Sequence, residues 1–360
     1  MQGLGRFGGI ARVFAAALAF GSTPAVACGE ADLAMGVQRI VQIDASAGPV
    51  FGTIGRYTHE PSFLEPKEIV LTFDDGPAPR ITRSILATLE RFCVKATFFP
   101  VGRMAIAYPE VVREIARGGH TIGAHTWSHP SNLRRYRTKS ATAQVEKGFA
   151  AIAKAAGAPI APFFRFPGLN DDGEVIEYLQ SRSIATFSVD VVSDDSFTDD
   201  PAKLTEQVIA RTIERGGGIV LFHDIKPVTA LALPGILNRL KKHGFKVVHL
   251  TSKHTIAPSG DFDEELDRRF LTATKGRPLP ATPPPAEVHP VIGAFAIARP
   301  PVTELAPIAR AVERASVHKA SLHKAAADAG KRPPGLRGTV TGWATTIDRR
   351  GLPSTAARPD

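Results

Sequence analysis

Ile69-Val70-Leu71-Thr72-Phe73-Asp74-Asp75-Gly76-Pro77 is the stretch on which the fold turns. Its first five residues are apolar or β-branched and read as a buried strand. Gly76-Pro77 supplies a turn, a helical pattern runs from Ile81 to Phe92, and a second strand is expected from Ala96 to Val101. Strand, helix and strand in that order imply parallel pairing through a right-handed crossover. The alternation continues along the chain. Further strands are expected at Thr121 to Ala124, Phe163 to Phe166, Ala185 to Val189, Gly218 to Phe222 and Lys246 to Leu250. Helices are expected at Pro109 to Arg117, Ala141 to Ala156, Glu174 to Ser183, Pro201 to Glu214 and Leu231 to His243. The fold class is therefore α/β, a barrel or a doubly wound sheet, and about seven strands favour the barrel.

Outside this region the texture changes. Residues 28–65 carry little periodicity and read as an irregular lead-in to a domain spanning 66–255. From 256 to 360 the chain is Pro/Ala-rich and basic, punctuated by Pro278, Pro280, Pro283, Pro284, Pro285, Pro290, Pro300 and Pro301, which predicts a largely disordered tail. Within it, Thr303 to Ala329 has weak helical spacing but too little apolar surface to fold alone. At the amino terminus Arg6 and Arg12 precede an apolar run from Val13 to Phe20, and Pro24-Ala25-Val26-Ala27 offers a small-x-small cleavage pattern. Residues 1–27 thus read as a signal peptide, too short in its apolar part to span a bilayer. The expected location is periplasmic or secreted, with lipid attachment at Cys28 as a weaker alternative. The only other cysteine, Cys93, is expected as a buried free thiol in preference to a disulfide.

The net charge of +9 is spread over the chain, about +4 before residue 251 and +5 after it. No concentrated basic stripe with interleaved aromatics is present, which argues against a nucleic-acid partner and leaves attraction to an anionic envelope as the simpler reading.

Polar residues at the ends of the expected strands carry the chemistry, because barrels gather functional side chains at the carboxyl ends of their strands. Asp74 and Asp75 are adjacent carboxylates; a strand would point them to opposite faces, so the following turn must re-aim one. One use for the pair is to bind a metal with one carboxylate and take a proton with the other, the alternative being a solvated turn. His125-Thr126-Trp127-Ser128-His129 then places two imidazoles four residues apart just after a strand, close enough for both to reach one ion. Zn2+ is the first expectation from two His and one carboxylate, and Co2+, Ni2+, Fe2+ or Mn2+ suit the same donors. His59, His243, His249, His254, His289, His318 and His323 lack such company, and His120 reads as structural.

Thr72-Phe73-Asp74-Asp75-Gly76 and His125-Thr126-Trp127-Ser128-His129 resemble the first two motifs of the polysaccharide deacetylase family, which includes chitooligosaccharide, chitin and peptidoglycan deacetylases and acetylxylan esterases. Arg165-Phe166-Pro167-Gly168 resembles the third motif and Leu221-Phe222-His223-Asp224 the fifth, in the right order. The resemblance covers roughly residues 66–255 and implies a distorted (β/α) barrel of about seven parallel strands. It implies Asp75, His125 and His129 as metal ligands, Asp74 as general base, and Arg165 as the cation that keeps Asp74 ionised and oriented. A divalent ion there would lower the pKa of its water towards roughly 7. His223 would be the general acid, a backbone N–H near Gly168 would stabilise the oxyanion, Pro167 and Gly168 would bind substrate, and Leu221 would wall the pocket for the acetyl methyl, the alternative being ordinary strand core. The fourth motif departs. Asp190 fits the residue that steadies the catalytic histidine, but Asp194 stands where relatives carry Trp, and Gly168 stands where many carry an aromatic; Trp127 is expected to compensate as a sugar-facing ring.

The implied function is metal-dependent hydrolysis of N-acetyl groups on an amino-sugar glycan such as peptidoglycan, chitooligosaccharide or exopolysaccharide. An O-acetyl glycan esterase of the same family is the runner-up, and a catalytically silent glycan-binding protein the reading from another class. The intact Asp74, Asp75, His125, His129, Arg165 and His223 argue against the last.

Overall fold

The computed structural model describes residues 32–57, 60–257 and 262–275. The signal region, Cys28, most of the tail and the expected segment at Thr303 to Ala329 lie outside the described residues.

The seven expected strands are present as β3 (Glu68–Asp74), β4 (Thr97–Phe99), β5 (Thr121–Ile122), β6 (Phe163–Phe164), β7 (Ala185–Phe187), β9 (Gly218–His223) and β10 (Lys246–Ser252). Three more were not foreseen: β1 (Val37–Ile43), β2 (Val50–Phe51) and β8 (Val191–Val192). The helices are α1 (Pro79–Arg91), α2 (Gly102–Ala107), α3 (Pro109–Arg117), α4 (Thr138–Ala156), α5 (Gly173–Ser181), α6 (Pro201–Arg215), α7 (Pro227–Lys242) and α8 (Asp263–Thr274). Local sequence sets their ends. In α6, Asp200 caps the first turn by accepting from the Ala202 and Lys203 N–H groups, Pro201 opens the helix, and Gly216 closes it in the left-handed region.

Every ladder between these strands is parallel. One sheet runs β1-β10-β3-β4-β5 with β9 beside β3 and β8 beside β9, and a second runs β2-β7-β6. A parallel bridge from Ala124 to Phe164 joins β5 to β6, and β7 runs on through three residues into β8. The wall β3-β4-β5-β6-β7/β8-β9 therefore closes on itself as a distorted barrel. Strand alternation divides its core. On β3, Val70 joins an interior cluster with Phe99, Phe163, Phe187, Ile219, Leu221, Val248 and Leu250, whereas Ile69, Leu71 and Phe73 pack outward against the helices. Burial of these apolar faces is the main driving force for the fold.

Three expectations outside the barrel need correction. The lead-in is not irregular: β1 pairs with β10 and β2 with β7. Its residues Val37, Arg39 and Val41 alternate with more exposed neighbours, a half-buried edge pattern whose apolar signal Gln38, Arg39 and Gln42 dilute. The ordered chain does not stop at 255, because α8 packs Leu266 onto Ile106, Trp127, Ala150 and Ala151, joined by Phe262, Phe270 and Ala273. Cys93 is not a free thiol but is disulfide-bonded. The sequence holds one other cysteine, Cys28.

No helix among the described residues is long and apolar enough to cross a membrane.

Candidate active site

Because all barrel strands are parallel, their carboxyl ends share one face, and the expected polar residues meet there. Alternation that turns Val70 inward does the same for Thr72 and Asp74, and the register of β3 with β9 places Asp74 opposite His223. Arg165 follows β6 directly and is fully buried. Its Nη1 donates to Asp74 Oδ1 at 2.8 Å and to Thr72 Oγ1 at 2.7 Å, and its Nε donates to the Phe187 carbonyl at 3.0 Å. The guanidinium also stacks over Phe99, 4.4 Å from the ring centroid. Burial pushes the Asp74 carboxyl above its ordinary pKa, against the pull of Arg165 and His223.

Asp75 leaves the strand in the left-handed region at φ 75°, and both carboxylates face one imidazole: His125 Nε2 is 3.5 Å from Asp75 Oδ1 and 3.9 Å from Asp74 Oδ2. The turn that follows admits only glycine, since a Cβ on Gly76 would lie 2.1 Å from Asp224 Oδ2. Asp224 is itself fixed by a 2.7 Å bond from Thr82 Oγ1, and burial lifts its pKa to about 7. On the facing loop Thr126 and His129 are also left-handed, at φ 64° and 56°. Such residues persist only where the surroundings hold them. Gln144 of α4 does the holding: its carbonyl accepts from Trp127 N at 2.8 Å and its Oε1 from Ser128 N at 3.1 Å.

Asp75, His125 and His129 each offer one donor atom, and the three atoms lie within 4.8 Å of one another. Asp75 Oδ1 is 3.1 Å from His129 Nε2 and 3.5 Å from His125 Nε2, yet it is buried with no hydrogen-bond partner. A buried orphan carboxylate oxygen is costly unless a further group meets it. His125 Nδ1 donates to the Arg165 carbonyl at 2.7 Å, which fixes the tautomer and aims the Nε2 lone pair at Asp75. Burial, opposed by the Asp75 charge, pushes His125 down to about 3, so its imidazole is neutral as a ligand must be. The donor set and its unmet oxygen fit a divalent cation.

The expected partner of His223 is corrected. Asp190 does not reach it: its Oδ2 accepts from the Ile219 N–H at 2.8 Å and its Oδ1 from Thr53 Oγ1 at 2.9 Å. The partner is Asp195, whose Oδ1 accepts from His223 Nδ1 at 2.7 Å and whose Oδ2 accepts from His223 N at 2.7 Å and Thr229 Oγ1 at 2.6 Å. Burial works against the charged imidazole, but the bond to Asp195 and the charges of Asp195, Asp74 and Asp75 prevail and raise His223 to about 9. Asp195 was hidden in the sequence by the run Ser193-Asp194-Asp195, which reads as a polar loop. Asp194 forms an ion pair with Arg211 at 2.6 Å.

A second correction concerns Trp127. It is 8% exposed, packs against Leu266 of α8, and lies beneath Lys147, whose Nζ is 4.5 Å from its ring centroid. It therefore faces the helical layer and offers no sugar-facing ring. Of the remaining expected residues, Pro167 and Leu221 are buried, Leu221 one inward position below His223, while Gly168 is exposed just past Arg165 with φ 61°.

A polysaccharide deacetylase family model matches residues 64–186, a span holding Asp74, Asp75, His125, His129 and Arg165. A peptidoglycan N-acetylglucosamine deacetylase of Bacillus cereus is 30% identical over 189 residues, covering 51% of this chain and 85% of its own. The chain belongs to the polysaccharide deacetylase family. A peptidoglycan N-acetylglucosamine deacetylase of Listeria monocytogenes is 35% identical over 182 residues, covering 51% of this chain and 38% of its own, so the chain spans about two-fifths of that relative. Among solved structures, a peptidoglycan deacetylase of Bdellovibrio bacteriovorus aligns with a TM-score of 0.56 and 31% identity, over 62% of this chain and 61% of that one. β1, β2 and the His223 and Asp195 side of the site lie outside the matched span of the family model.

Proposed function

We propose that this family member is an exported, metal-dependent hydrolase that removes N-acetyl groups from an amino-sugar glycan, with zinc as the ion and the domain formed by the barrel as the catalytic unit. The observation that carries the reading is the unmet, buried Asp75 Oδ1 between two imidazoles, set beside a base and an acid opposed across one strand pair. The named relatives act on peptidoglycan, which supports a cell-wall glycan as substrate and an extracytoplasmic site of action.

Held by Asp75, His125 and His129, a divalent ion supplies Lewis acidity and a more acidic water. The protein's own groups do the rest. Asp74 takes the water proton at Oδ2, since Oδ1 is engaged by Arg165 Nη1. Arg165 fixes that carboxylate and, buried itself, keeps solvent from it. Charge developing on the acetyl oxygen is met by the Gly168 backbone N–H. His223 delivers its proton from Nε2 to the leaving nitrogen, because Nδ1 is committed to Asp195. The amide C–N bond breaks, acetic acid and a free amine leave, and one proton gained by Asp74 balances one lost by His223; the acid then ionises in solvent, and a proton passing from Asp74 back to His223 restores the site. Amine departure needs that proton more than alkoxide departure does, so the Asp195-supported imidazolium favours the N-acetyl reading over the O-acetyl one. Incubating the full-length protein with a panel of N- and O-acetylated glycans, with and without chelator, tests this. Chelator-sensitive acetate release from N-acetylated glycans is expected; release confined to O-acetylated ones would make the protein an esterase.

A further inference from the structure

The unforeseen strand β2 delivers a loop to the carboxyl face, because β2 runs parallel to β7. Residues 52–57 then cross the ends of two barrel strands. The N–H groups of Thr53 and Ile54 both donate to the Val189 carbonyl at 3.0 Å, Thr53 Oγ1 donates to Asp190, and Ser188 Oγ donates to the Ile54 carbonyl. The contact is tight enough that a Cβ on Gly52 would lie 2.6 Å from the Ser188 carbonyl carbon.

The far end of the loop is tied to Asp171, in the segment that follows Arg165 and Gly168. Asp171 is 7% exposed, and its Oδ2 accepts from Arg56 N at 2.7 Å and Tyr57 N at 3.3 Å. Its carbonyl accepts from Arg134 Nε at 2.9 Å, and Arg134 follows the ligand His129 in the chain. One buried residue thus knots the loops after β2, β5 and β6, the first through its carboxylate and the second mainly through its main-chain carbonyl. Held this way, Tyr57 is laid against the start of α5, its Oη 2.8 Å from where a Gly173 Cβ would stand, with 40% of the residue left exposed. The large exposed aromatics among the described residues are Tyr57, Tyr136 and Phe197, and all three sit on loops leaving the carboxyl ends of strands. Leaving an aromatic ring in water on an otherwise fastened loop forgoes apolar burial, and a ring with one apolar face and a polar tip suits a ligand of the same character. Sugar rings are such ligands, with C–H faces and hydroxyl edges.

We propose that residues 52–57 form a wall of the glycan cleft, with Tyr57 as the surface on which a sugar next to the reacting unit packs and Asp171 as its positioning residue. This rests on the deacetylase reading for the identity of the ligand, and it places part of the specificity outside the span matched by the family model. The test is calorimetric titration of the zinc-loaded full-length chain, with Asp74→Asn to prevent turnover, using the β-1,4-linked tetramer and the monomer of N-acetylglucosamine. Adding Tyr57→Ala should weaken tetramer binding about ten-fold, as expected for losing one stacked ring, while Tyr57→Phe binds as its parent. Asp171→Ala should weaken the tetramer and leave the monomer unchanged. Unchanged tetramer affinity in Tyr57→Ala, or no tetramer binding by the parent, overturns the proposal, and a parallel loss of monomer and tetramer in Asp171→Ala removes that residue's positioning role. Acetate release by the wild-type chain is read separately and judges only the deacetylase reading.

Discussion

The two sides of the site are built on opposite plans. On the side proposed to hold the metal, Asp75 and His129 sit in strained left-handed backbone, and the buried Asp75 Oδ1 has no hydrogen-bond donor. On the proton side Asp195 is 2% exposed and takes three hydrogen bonds, two from His223 and one from Thr229. One side is incomplete without a group from outside the chain; the other is satisfied by the protein alone. The lesson is that removing the ion should disturb the first and leave the second standing.

The sharpest way to break this contrast is to remove a ligand. His125→Ala or Asp75→Asn should lose bound metal and lower acetate release by about 10³-fold or more, whereas His223→Ala should keep the metal. Metal analysis of the purified variants checks this, and metal loss in His223→Ala would show that the two sides are not separate. Asp74→Asn should keep its ion and lose roughly 10²- to 10⁴-fold in rate, the range for a general base; an ion-free Asp74→Asn protein would make Asp74 a ligand. Next comes His223→Ala, expected to cost about 10²-fold on an N-acetyl glycan and markedly less on an aryl acetate whose leaving group needs no proton. Equal losses on both substrates would remove the acid role.

The smallest effect separates Asp195 from Asp190. With His223 raised to about 9, the alkaline limb of the rate profile should fall near that pH. Asp195→Asn should move it down, towards the ordinary histidine value of about 6.5, and Asp190→Asn should leave it in place. The stability linkage has a definite sign. A histidine raised on folding contributes stability that is full below about 6.5 and lost as pH rises through about 9. Asp195, held below its ordinary pKa by His223 and Thr229 in spite of burial, contributes above about 3.9 and loses that contribution in acid. The gap in melting temperature between wild type and Asp195→Asn should therefore be widest between about pH 4 and 6.5 and narrow towards pH 10; a gap that is constant with pH would dissociate the pair from stability.

The sequence was most legible where signal and structure share a period. The seven strands with continuous apolar runs, buried on both faces, stand where their composition puts them, whereas β1 and β2 are missed because edge strands need only half an apolar pattern. The juxtaposition within each pair, Asp74 with Asp75 after β3 and His125 with His129 after β5, was legible because spacing along the chain maps onto proximity just past one strand. Asp195 was not, since its partner is 28 positions away and nothing local distinguishes it from Asp194 or Asp190. Trp127 misled for a related reason: its place between His125 and His129 suggested the cleft, but the left-handed Thr126 turns the chain and α8, from a stretch read as tail, covers the ring.

The pairing of β1 with β10 has a consequence for the order of events in the cell. Ile40 lies beside His249, so strands roughly 200 positions apart must meet before the ladder they share exists. Contacts of such sequence separation slow folding, because the loop entropy is lost before the contact repays it. A ribosome must have released every strand of the barrel before β1 finds β10. Until then the edge of β10 that β1 covers stays unpaired, and β1 itself has no ladder to join.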